Sequence, residues 1–233
     1  MDKRLTFKKG LIDAVPICLG YISVAIAFGV LAVQNKMPLW APTLISITNL
    51  SGTGQFAGLD LIKATASFLE IACAIMVINA RYFLMSVSLS QRLPQNINQW
   101  KRYLIAFGNT DEVFAVAMGQ KLPLNFRYMM GLILCSLFGW TSGTVIGTFA
   151  GSFVPQVLTS AFGISLYAMF LAIIIPPATK SVPVTITIIV AAVFSFLLQF
   201  TNLSSGWIII ICGILASAFA AWKFPVEEVA DDE

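Results

Sequence analysis

Apolar residues run in eight stretches along this 233-residue chain, at 11–33, 41–62, 64–90, 104–120, 128–154, 157–177, 182–200 and 206–222. A helix needs about 20 mainly apolar residues to span a bilayer, with a usual range of about 17–25. Most of the stretches qualify. Lipid offers the backbone no hydrogen-bond partner, so runs of this length are helices. The alternating ten-residue pattern of an outer-membrane barrel is absent. The pattern predicts an all-α, polytopic membrane protein with eight transmembrane helices, or seven if 104–120 is re-entrant. Residues 1–233 form a single transmembrane domain in this reading, with a basic cytoplasmic N-terminus at 1–10 and an acidic cytoplasmic tail at 223–233.

Composition agrees. The chain is 58% hydrophobic and 11% charged, with a mean hydropathy of +0.86. A soluble domain carries about 25% charged residues, so this chain lacks the groups to cover a soluble surface. Lys8 and Lys9 precede an apolar run too long for a signal peptide, whose apolar core is about 7–15 residues, so no cleavage is expected. Cys18, Cys73, Cys135 and Cys212 all fall in apolar stretches without ligand spacing, and the chain has no histidine. They read as packing residues, and neither a metal nor another cofactor is expected. No basic patch extends beyond four residues, which argues against nucleic acid as a partner.

Charge distribution sets the expected topology. Eight crossings put Lys3, Arg4, Lys8, Lys9, Lys63, Lys121, Arg127, Lys180 and Lys223 on the side of the termini, and Lys36, Arg92, Lys101 and Arg102 on the other. Nine against four favours cytoplasmic ends. A re-entrant 104–120 stretch turns the count to five against eight, so eight crossings are preferred. The basic Arg92–Arg102 loop then falls outside.

Polar interruptions of the stretches mark the candidate chemistry. Arg81 lies within 64–90, where a guanidinium costs roughly 2.5–3.5 kcal/mol on insertion scales. It therefore faces a protein partner, a water-filled cavity or a ligand, and a structural clamp on another helix is the plainer reading. Asn79, Tyr82 and Ser86 share a neighbouring helix face. Glu70, 11 residues before Arg81, projects in nearly the same direction, so a cavity joining the two is conceivable. Asn49-Leu50-Ser51-Gly52-Thr53-Gly54-Gln55 makes poor helix, which predicts a broken span. Its second half would aim free N–H groups and a positive dipole end at an anion. The alternative is close helix packing through Gly52 and Gly54. In the fourth stretch, Asn109 or Thr110 caps a helix whose first turn holds Asp111 and Glu112. An acidic pair at membrane depth is the natural partner for Arg81, and repulsion favours one of the two keeping a proton.

Gly139, Gly143, Gly147 and Gly151 recur every four residues in the fifth stretch and form a strip for close helix packing, whether by this chain, a second copy or another subunit. Gly20-Tyr21 and Met37-Pro38 are echoed at Gly139-Trp140 and Val154-Pro155, offsets of 119 and 117 residues that suggest an internal repeat.

These motifs, in this order, resemble the AzlC family, the larger subunit of branched-chain amino acid exporters. The resemblance rests on Lys9-Gly10 with Pro16, Ala27-Phe28-Gly29-Val30-Leu31-Ala32, and Ser51-Gly52-Thr53-Gly54-Gln55-Phe56. It continues through Asn79-Ala80-Arg81-Tyr82-Phe83-Leu84 and Thr110-Asp111-Glu112-Val113-Phe114-Ala115, and covers about residues 8 to 222. Gly54 replaces an alanine frequent in the family, and Tyr82 a histidine. The resemblance implies a single transporter domain at 1–233 in the cell inner membrane. It implies export of valine, leucine, isoleucine and methionine, driven by an ion gradient with H⁺ as the coupling ion, and an AzlD-type small membrane subunit as partner. The candidate substrate-binding residues are Ser51, Gly52, Thr53, Gly54, Gln55, Asn79, Arg81, Asn109, Asp111 and Glu112. Gly52 to Gln55 would hold one charged end of the zwitterion, Asp111 or Glu112 its ammonium group, and Phe56, Phe83 and Phe114 its side chain. Arg81 would bind the carboxylate or lock a closed state by pairing with Asp111. The competing classes are a non-transporting assembly or channel subunit and an integral membrane enzyme; for the latter the chain shows no nucleophile–base pairing and is not expected to be one.

Overall fold

A computed structural model describes residues 5–151, 153–155, 171 and 174–225. These residues are all-helical, without a strand among them, as a polytopic membrane protein requires. The helices are α1 (Phe7–Gln34), α2 (Trp40–Thr48), α3 (Gly52–Lys63), α4 (Phe68–Arg92), α5 (Gln99–Phe107), α6 (Asp111–Met118), α7 (Phe126–Ala150), α8 (Val182–Leu198) and α9 (Ser205–Lys223). α1, α4, α7 and α9 are each long and apolar enough to cross a membrane, while α8 has 17 residues. Exposed Phe83, Phe138 and Trp222 suit a surface solvated by lipid. Most of the 157–177 stretch, residues 1–4 and the acidic end of the tail lie outside the described residues.

The chain divides into two compact units, one of Met1–Leu59 with Asn79–Tyr167 and the other of Asp60–Ile78 with Ala168–Glu233. The first is built on α1 and α7. The glycine strip of α7 meets α1 in exact step: Gly139 lies on Cys18, Gly143 on Ile22, Gly147 on Ile26 and Gly151 on Val30. Both sequences ascend together, so the two helices are parallel. A Cβ at Gly143 would stand 2.6 Å from the Ile22 carbonyl oxygen, so only glycine permits this approach. Gly10 and Gly131 repeat the contact at the lower end. The strip thus serves a helix of the same chain.

The second and fourth stretches are bent into hairpins. Ser46 Oγ lies 3.3 Å from Gln55 Oε1. Nine residues of straight helix would separate the two backbones by about 13.5 Å, so α3 returns alongside α2. Accordingly Phe56 packs its ring on Phe28, in the C-terminal third of α1, with ring centroids 5.4 Å apart. In the second hairpin, Trp100 of α5 meets Phe126 at the start of α7 edge to face. The chain then reaches inward to Gly108, which abuts Ile133. α6 leads back out to Gln120, beside Asp13 near the start of α1. Between them α4 runs opposite to α1: Asn79 meets Ser51 at the first tip, and Arg92 reaches the Gln120 carbonyl at 2.6 Å. The first hairpin enters from the face where α1 ends, the second from the face where α1 begins.

This geometry revises the expected crossings. Within the first unit, residues 41–59 and 104–120 each turn back toward the face they start from, because a polar, helix-breaking tip reverses them. Arg92, Lys101 and Arg102 consequently lie on the same face as Lys8, Lys9, Lys121 and Arg127, not opposite them. Within this unit Lys36 is the basic residue left at the other face among those described. The repeat is also finer than the echo of 119 residues suggests. The two hairpin caps, Ser51 and Thr110, are 59 positions apart, and α1–α2–α3 and α4–α5–α6 are one helix-plus-hairpin unit in opposite senses. Parallel α1 and α7 stand two such steps apart.

The second unit pairs α8 with α9 and packs Leu61, Ala74 and Ile210 together. Glu70 is 7% exposed and accepts from the Ser204 hydroxyl and, at 3.1 Å, from the Gly206 N–H at the start of α9. The Glu70 carboxylate is engaged there.

Candidate transport site

Each hairpin tip is a helix N-terminus held open by a side-chain cap. Asn49 Oδ1 accepts from the Ser51 N–H at 3.1 Å, and Ser51 Oγ accepts from the Gly54 N–H at 3.1 Å, which starts α3. Thr110 Oγ1 does the same for Val113 at the start of α6. Both tips point their first N–H groups and positive dipole ends inward. Asn49, Leu50 and Ser51 from one tip, and Phe107, Asn109 and Thr110 from the other, line a half-open cavity of about 130 Å³ with Asn79 and Tyr82 of α4. That volume suits a small solute or several waters rather than a drug-sized ligand, whose pockets run about 300–1,000 Å³.

Arg81 ties the two hairpins together. One terminal nitrogen of its guanidinium lies 2.9 Å from Asp111 Oδ2 and donates at 3.1 Å to Thr53 Oγ1. The charge centre sits 5.2 Å from the Tyr82 ring. The pair is one-quarter to one-third exposed, so water still reaches it. Two buried polar atoms near it stay unpartnered: Arg81 Nε and Asn109 Oδ1. An unpaired buried acceptor costs about 1–3 kcal/mol, and Asn109 is one of the residues that line the cavity.

Of the residues singled out in the sequence, the fold brings Ser51, Thr53, Asn79, Arg81, Asn109, Asp111 and Glu112 together around the two tips. Ser51 donates to Asn79 Oδ1 at 2.5 Å. Gly54 is close-packed, since a Cβ there would stand 3.0 Å from Ser51 Oγ, and Gly52 lies on the tip of the Trp140 indole. Gln55 is buried and spent on structure: its Oε1 accepts from Trp140 Nε1 at 3.2 Å and its Nε2 donates to the Asn49 carbonyl. Glu112 accepts from the Tyr21 hydroxyl. The three phenylalanines do not form one side-chain pocket. Phe56 is in the core, Phe83 is 71% exposed and Phe114 packs against the lower core cluster. Tyr21 and Trp140, whose rings meet edge-on at 5.3 Å, belong to the site's frame; the sequence marked them as repeat anchors and gave no chemical signal for them.

Known proteins share much of this sequence. Residues 16–154, which hold both hairpins, match the family described as AzlC protein. The chain is 30% identical over 232 residues to the inner membrane protein YgaZ of Escherichia coli, covering 96% of this chain and 95% of that one. It is 34% identical over 178 residues to an uncharacterized membrane protein of Archaeoglobus fulgidus, covering 76% and 78%. It is 24% identical over 182 residues to the branched-chain amino acid transport protein AzlC of Bacillus subtilis, covering 75% and 70%. No solved structure matches the chain. A family match across the whole hairpin core, joined to a relative aligned from end to end, makes this chain a member of the AzlC family of membrane proteins.

Proposed function

We propose that this protein is a secondary transporter that exports valine, leucine, isoleucine and methionine across the cytoplasmic membrane, exchanging them for H⁺ and working with a small AzlD-type membrane subunit. The observation that carries the reading is the half-open cavity lined by two hairpin tips that enter from opposite faces. Paired helix ends at mid-depth are a recurrent way of holding a charged solute inside a membrane. The transport name of the Bacillus subtilis relative supports the same reading and favours it over an enzyme.

In this account the substrate carboxylate faces the positive helix ends at the tips, and the ammonium group the side of the cavity lined by Asn109 and Thr110. Arg81 and Asp111 satisfy each other and close the site between turnovers. The N-terminus is cytoplasmic, because Lys8, Lys9, Arg92, Lys101, Arg102, Lys121 and Arg127 share its face.

Efflux of preloaded leucine from vesicles carrying the protein, with and without the small subunit, tests the function. Saturable efflux above that of empty vesicles is expected. Leucine flux equal to that of empty vesicles in both preparations contradicts it.

A further inference from the structure

We propose that Glu112 carries the exchanged proton and that Tyr21 and Thr110 convey its state to the central cavity by reversing a chain of hydroxyl hydrogen bonds. This deepens the transport reading and rests on it.

Asp111 and Glu112 are neighbours, yet they are held differently. Asp111 faces the Arg81 guanidinium at 2.9 Å as its counter-charge. Glu112 forms no ion pair among the described residues, and its Oε2 meets the Tyr21 hydroxyl. That hydroxyl lies 2.7 Å from Thr110 Oγ1. Thr110 is 4% exposed and lines the cavity.

A tyrosine hydroxyl has one proton to donate and can accept another. With Glu112 ionised, Tyr21 donates to the carboxylate and accepts from Thr110, whose oxygen then offers only lone pairs to the cavity. When water delivers a proton to Glu112, the new carboxyl O–H donates to Tyr21, Tyr21 donates to Thr110, and the Thr110 proton turns toward the cavity. No proton leaves the chain; two hydroxyls rotate.

Charge moves in the same sense. The ionisable groups that act on Glu112 are Tyr21 of α1 and Asp111 of α6, and Asp111 in turn faces Arg81 of α4, while Trp140 of α7, which does not titrate, packs on Tyr21. Arg81 and Asp111 cancel, so the centre carries one negative charge when Glu112 is ionised and none when it is protonated. The ionised state, with an acceptor facing the cavity, holds an ammonium group. The protonated state, with a donor in its place, releases it. Proton and amino acid therefore exclude each other, which is the condition for exchange.

The test combines leucine affinity across pH with the infrared absorption of a protonated carboxyl group in the reconstituted protein. Leucine affinity is expected to fall by up to tenfold per pH unit as the pH drops through the range in which the carboxyl absorption appears, as one competing proton requires. Glu112→Gln should bind weakly at every pH and lose the carboxyl absorption, while Asp111→Asn keeps it. Tyr21→Phe should keep the absorption but flatten the affinity profile, a change that mere loss of packing does not produce. An absorption that survives Glu112→Gln and vanishes in Asp111→Asn overturns the proposal, as does a wild-type affinity independent of pH. If the absorption titrates and depends on Glu112 while leucine binds nowhere, the proton site stands and the substrate reading falls.

Discussion

Arg81 of α4 meets Asp111 of the second hairpin at 2.9 Å while the same nitrogen donates to Thr53 of the first. One side chain on a straight helix thereby joins two elements that enter the membrane from opposite faces. Neutralising either charge leaves the other without its counter-charge in a partly solvated place. Arg81→Ala or Asp111→Asn alone should each lower stability by about 2 kcal/mol, within the range for breaking a named interaction. The double variant should lose less than the sum, with a coupling of about 1–3 kcal/mol in a double-mutant cycle. Purely additive losses, read from thermal unfolding in detergent, contradict the pairing.

The α1–α7 contact predicts a sharp positional contrast among glycines. Gly143→Ala pushes a methyl group into the Ile22 backbone, and overpacking of this kind costs about 1–3 kcal/mol. Gly20→Ala, on the same α1, meets nothing within 4 Å and should be neutral or slightly stabilising. Equal behaviour of the two variants in thermal unfolding would count against the parallel pair.

The hairpin topology is open to labelling from either side. Single cysteines at Asn96 and Lys121 should react with a membrane-impermeant thiol reagent only from the cytoplasm, and one at Lys36 only from outside. All three positions are exposed. Reaction at Asn96 from outside would restore a straight crossing of 104–120.

Gln55 holds the first tip. Gln55→Leu leaves the Asn49 carbonyl and the Trp140 N–H without partners, at about 1–3 kcal/mol for each buried group. The expected result is a lower melting temperature, whether or not leucine is present. Unchanged stability with altered substrate affinity would instead make Gln55 a substrate ligand.

The sequence announced several of these features because their chemistry is local. Ser51 and Thr110 are recognisable caps, the polar run after Asn49 does not tolerate straight helix, and the four-residue spacing of glycines in α7 already defined a close-packing face. The Arg81–Asp111 pair was legible because an isolated guanidinium in an apolar run needs an acid. The reversal at each tip was not. Apolar content and length report depth in lipid but not direction, and a half-helix returning to its own side reads the same as one going on. Only side-to-side contacts such as Ser46 with Gln55 distinguish the two. Once direction is known, the misplaced Arg92–Arg102 loop falls on the basic face. Tyr21 and Trp140 escaped notice as site residues because an aromatic in a spanning helix is ordinary until its partner, 91 and 119 positions away at Glu112 and in the repeat, is known.

The most direct test of a transport site between the two tips is alkylation of a cysteine placed on each, Leu50→Cys on the first and Phe107→Cys on the second, with and without leucine. Both positions line the same cavity. The account predicts that saturating leucine slows modification at both positions and that an amino acid the protein does not carry slows neither. Rates at both positions that are indifferent to leucine, in protein that still exports it, would place the transported molecule elsewhere.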